Sequence, residues 1–228
     1  MTTFGNEILG RRVGRYVETD EPPGLTLPQT VGGHLWAPAT VMGLALVATA
    51  FALAATRSQM SVDLSEEFTP VRQANLEVLG QLIPGFMFLG LGMIFAAISF
   101  AIARILGIFR TGGGVVQQGI GKGIKTPLRP VTVMIFLAGM MMAMMVLVFT
   151  FVGHVYAATQ AHDAWINATS AGIAGNEAAL GRAETWGTWL EGLRRFAVGL
   201  YLTSIAFGLA TIIKAIGFLT MRMRELTE

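Results

Sequence analysis

The chain has 228 residues, 53 % of them hydrophobic and 13 % charged, with no cysteine and a formal net charge of +2. Soluble domains carry about 25 % charged residues, and the missing thiols exclude disulfides, thiolate metal sites and membrane thiol-oxidase chemistry. An excess of two positive charges is too small to mark a nucleic-acid binder, so the basic balance is better explained by membrane topology.

Residues 1–35 are polar and broken by Pro22, Pro23, Gly24 and Pro28, which predicts a mostly irregular cytoplasmic arm. A secretory signal places its apolar core within about the first 15–30 residues. None is found there, so the first apolar run is expected to be a retained anchor. Residues 6–17 can form a short amphipathic helix that turns Arg11, Arg12 and Arg15 toward anionic lipid headgroups.

Four apolar runs follow, at 36–56, 82–103, 131–153 and 196–213, the last continuing past Lys214 to residue 219. A helix needs about 20 apolar residues to cross roughly 30 Å of hydrocarbon. The expected fold class is therefore all-α, an integral membrane protein whose four transmembrane helices form one domain over 36–228. Pro38 is placed in the first turn of the first span, where its missing N–H does no harm. Thr69-Pro70 reads as the N-cap and first residue of a helix that runs on into the second span, with Pro84 kinking it.

Helices two and three are thus expected to project beyond the bilayer. Between them, glycines at 112–114, 119, 121 and 123 predict a flexible cytoplasmic connection. Gly121-Lys122-Gly123 fails the phosphate-loop pattern, which demands Ser or Thr after Gly-Lys. The stretch 158–195 is expected to break near 172–175 and to resume as a helix from 177 into the fourth span.

Lys and Arg in short loops set orientation. Eleven cations (Arg11, Arg12, Arg15, Arg104, Arg110, Lys122, Lys125, Arg129, Lys214, Arg222, Arg224) fall on one side and five (Arg57, Arg72, Arg182, Arg194, Arg195) on the other. Both termini are therefore expected in the cytoplasm. Sparse lysine with abundant Gly, Ala and Met points to a bacterial inner membrane.

Small residues four apart mark candidate helix-packing faces: Gly92 and Ala96, Gly139 and Ala143, Gly199 and Thr203, Ser204 and Gly208. Lipid supplies no hydrophobic drive between helices, so close backbone approach matters more there than in water. Met140, Met141, Met142, Met144 and Met145 are soft ligands of the Cu(I) type, but they point all round a helix, and adaptable packing explains them better. His154 and His162, eight residues apart on an extended third helix, share a face in this reading yet lie about 12 Å apart along the axis. One metal cannot bridge that distance, and a site using His154, His162 and Asp163 would need a partner chain. No ionisable residue interrupts the middle of a span, which argues against a pump.

No catalytic residue and no cofactor are expected. The first functional expectation is a non-catalytic accessory subunit of a larger membrane assembly, such as a respiratory or membrane oxidoreductase or monooxygenase complex. Its partners would be other membrane subunits and lipids, with no nucleic acid and no soluble substrate. An oligomeric transporter or channel is the alternative, and a metal- or haem-binding redox subunit the third.

Overall fold

The computed structural model describes residues 16–120, 123–127, 131–171 and 177–227. Arg11, Arg12 and Arg15, and the break expected at 172–175, lie outside them.

One half of a capping box starts the first helix, α1 (Leu27–Glu66), well ahead of residue 36. The Thr26 N–H donates to Gln29 Oε1 at 2.9 Å, and the Thr30 N–H donates to the Thr26 carbonyl at 3.0 Å. Thr-x-x-Gln is the capping-box spacing, which satisfies donors that the first turn otherwise leaves orphaned. The arm expected to be irregular over 1–35 is therefore helical from Leu27. Pro38 is not in the first turn but inside the helix. Its absent N–H deprives the His34 carbonyl of its helical partner.

Helix α2 (Pro70–Gly119) starts at the Thr69-Pro70 pair, where the Arg72 N–H donates to Thr69 Oγ1 at 3.3 Å. It passes through Pro84 and continues through Gly112, Gly113 and Gly114. The connection predicted to be flexible there is helix up to Gly119. Tertiary contact overrides the poor helix propensity of glycine: a Cβ on Gly113 would sit 2.6 Å from Leu219, and one on Gly114 would sit 3.0 Å from Pro23.

Helices α3 (Val131–Ala171) and α4 (Glu177–Thr227) complete the set. All four are long and apolar enough to cross a membrane. The shortest has 40 residues, about 60 Å at 1.5 Å per residue. Every helix, and not the second and third alone, outruns a hydrocarbon core of about 30 Å. A small antiparallel pair is the one addition to the helices among the described residues. It joins β1 (Tyr16–Thr19) to β2 (Ile124–Pro127), with Glu18 opposite Lys125.

The chain divides into two compact units. The first comprises Met1–Pro38, Ala96–Met141 and Leu202–Glu228. Its core is Ile102, Ala103 and Phe136, with Leu106, Leu137, Ile205 and Ile212 packed against them. The second comprises Ala39–Phe95 and Met142–Tyr201. Its core is Phe88, Leu147 and Ala197. There α1 and α2 approach backbone to backbone, since a Cβ on Gly43 or on Gly90 would each lie 2.8 Å from the other's carbonyl oxygen. Tyr201 donates to Met144 Sδ at 3.0 Å, and Phe86 meets Phe151 edge-on at 5.5 Å between centroids.

Candidate functional site

The first unit has a half-open cavity of about 810 Å³, within the range of about 300–1,000 Å³ common to small-molecule sites. Its wall is amphipathic. Helix α3 contributes only Val133, Phe136 and Leu137, whereas the paired strands contribute Thr19, Lys125 and Thr126. Three cations line it, Arg110 of α2, Lys125 of β2 and Lys214 of α4, and no acidic residue does so among the described residues. Lys125 is paired with Glu225 at 3.7 Å. Arg110 and Lys214 have no ion pair among the described residues, and Arg110 Nε is buried with no hydrogen-bond partner.

A buried hydrogen-bond cluster holds the polar end of this cavity. Arg222 donates from Nε to Gln117 Oε1 at 2.9 Å, from Nη2 to the Gly123 carbonyl at 2.8 Å and from Nη1 to Glu225 Oε2 at 2.6 Å. Gln117 Oε1 also accepts the Lys125 N–H at 2.9 Å. The guanidinium fork thus ties the ends of α2 and α4 to β2, a geometry that its fixed set of donors makes possible. In the sequence, Arg110, Lys214 and Arg222 stand out only as topology charges, and Gln117 carries no signal. The signal that finds Lys214 is a cation interrupting an otherwise apolar run.

The small-residue candidates separate into closed and open positions. A Cβ on Gly92 would meet Leu147 at 2.5 Å, and one on Gly208 would meet Ile102 at 3.0 Å. Gly139 lies against Ser204 Oγ. Ala96 and Ala143 are fully buried. Gly199 and Thr203 differ: both are exposed, and nothing lies within 4 Å of a Cβ on Gly199. Gly192, two turns earlier on α4, is open in the same way.

His154 is 2 % exposed and packs against Gly85. Both its ring nitrogens are buried without a hydrogen-bond partner among the described residues. His162 is 46 % exposed at its side chain and lies 3.5 Å from Asp163 Oδ1. The two histidines therefore do not share a face, because eight residues rotate a helix by about 80° beyond whole turns. No group of three His, Cys, Asp or Glu side chains able to hold a metal ion occurs among the described residues. The methionine run also diverges: Met141, Met142 and Met145 are exposed, Met140 packs on the first core, and Met144 accepts from Tyr201.

A second cavity, of about 490 Å³, lies in the second unit, where Arg57, Ser58 and Ser61 of α1 face Gly80, Ile83 and Pro84 of α2. No family model, curated protein or solved structure gives a significant match to this chain.

Proposed function

We propose that the chain is a multi-pass protein of a bacterial inner membrane that serves as a non-catalytic subunit of a larger membrane assembly. Both termini are cytoplasmic in this reading. The cations Arg104, Arg110, Lys125, Lys214, Arg222 and Arg224 belong to the first unit, as positive-inside placement requires of its end of the helices.

The observation that carries the contact role is the open glycine face of α4. Several glycines of the apolar spans are filled by neighbours, Gly43 by Gly90, Gly92 by Leu147 and Gly153 by Leu190, whereas on α4 Gly181 and Gly217 are open as well. Gly192 and Gly199 meet nothing. A glycine facing lipid forfeits dispersion contact and helix propensity together, whereas the same glycine under a second helix allows close backbone approach. Another membrane helix seated on this face accounts for the two positions.

The test is the mass of the particle extracted in mild detergent from its native membrane. The wild-type chain is expected in a particle that also contains subunits of other masses. Gly199→Leu, which fills the open face without touching either core, is expected to release the chain at unchanged helical content. A homo-oligomer that conducts solute in liposomes would instead establish the transporter alternative. A single chain holding stoichiometric haem or copper would establish the redox one.

A further inference from the structure

We infer that the cavity of the first unit holds an anionic amphiphile: a membrane lipid whose phosphodiester headgroup meets Arg110 and Lys214 and whose acyl chain lies along Leu106, Phe109 and Leu137. The assignment rests on the proposed membrane placement, which brings lipid to the cavity, and is independent of the contact role of α4.

The lining changes character along α2. Ala103 and Leu106 come first, then Arg110, then Gln117. Those 14 residues span about 21 Å of helix, so one wall passes from hydrocarbon to cation to neutral polar groups. That is the order of groups along a phospholipid. The charge pattern selects the sign of the headgroup. Three lining cations face no lining carboxylate, and only Lys125 has an acidic partner, so two positive charges stand without counter-charge among the described residues. Arg110 adds a buried Nε that donates to nothing. That atom is sealed from solvent, so a ligand in the cavity would meet the outer Nη groups, whose fork suits a phosphate oxygen.

The apolar wall decides between a lipid and a free anion. Inorganic phosphate would satisfy Arg110 and Lys214 but leave the part-exposed Leu106, Phe109 and Leu137 against water, which an acyl chain avoids. A zwitterionic lipid would bring its own ammonium group into a site that already carries unbalanced positive charge.

The experiment places the full chain in nanodiscs of equal parts dioleoyl phosphatidylglycerol and dioleoyl phosphatidylcholine, then releases it into mild detergent for native mass spectrometry. Phosphatidylglycerol is expected to stay on the chain in preference to phosphatidylcholine and to resist displacement by sodium phosphate. Replacing Arg110→Gln and Lys214→Gln is expected to weaken retention about tenfold for each cation removed, the effect of one lost charge-assisted hydrogen bond. Ala215→Trp keeps every charge and fills the cavity, so it is expected to abolish retention. If the double variant does not fold, Ala215→Trp decides alone. Equal retention of the two lipids overturns the proposal, as does undiminished retention in a folded variant. Displacement by sodium phosphate would overturn the amphiphile in favour of a free-anion site. A chain that never enters the nanodisc contradicts the membrane placement, and the lipid site falls with it. A chain that enters and shows no preference contradicts the lipid site alone.

Discussion

Arg222 is the side chain on which the end of the first unit depends. Its three bonds go to a side chain on α2, the backbone before β2 and a carboxylate on its own helix. Arg222→Ala is expected to lower stability by about 1.5–3 kcal/mol, the worth of hydrogen bonds to a charged group, as read by thermal unfolding in detergent. Arg222→Lys is expected to recover little, because one ammonium cannot reach three acceptors spread over a fork. None of this partnership was legible in the sequence, where 105 residues separate Arg222 from Gln117. Small residues were legible as a class but not by partner. The spacing rule picked out Gly92, Gly139 and Gly208, which do meet neighbours, and it picked out Gly199, which does not. It missed Gly43 and Gly90, which face each other's carbonyls, and Gly32, which lies against the Phe100 backbone. Spacing along one helix cannot say which face a neighbour occupies.

The four helices were legible because twenty apolar residues in a row have few alternatives to a helix. Their ends were harder. Thr69-Pro70 announced the start of α2, and the structure places the cap there. Thr26-Leu27-Pro28-Gln29 carries an equally readable start signal, but Pro22, Pro23, Gly24 and Pro28 drew attention to the breaks instead. Gln29→Ala removes the acceptor of the Thr26 N–H. It is expected to cost the first turn of α1 about 1 kcal/mol, seen as roughly fivefold faster amide exchange at Thr26 with the middle of the helix unchanged. The glycines at 112–114 misled for a related reason. Propensity argues for a loop, yet Leu219 occupies the space beside Gly113 and the Pro22-Pro23 pair the space beside Gly114, while Gly112 is open.

For the whole molecule, membrane placement underlies both the contact role and the lipid cavity. Four helices of sufficient length and apolarity are compatible with it, and the uneven distribution of Lys and Arg is the basis of the proposed direction. The absence of cysteine makes that direction measurable, because any introduced thiol is the only one present. Ser65 near the end of α1 and Gly119 at the end of α2 are both exposed, and a Cβ on Gly119 meets nothing within 4 Å. The decisive measurement labels Ser65→Cys and Gly119→Cys with a membrane-impermeant maleimide, in intact cells stripped of their outer membrane and again after lysis. The placement predicts that Ser65→Cys reacts before lysis and Gly119→Cys only after it. Equal labelling of the two before lysis, or the reverse order, would contradict it.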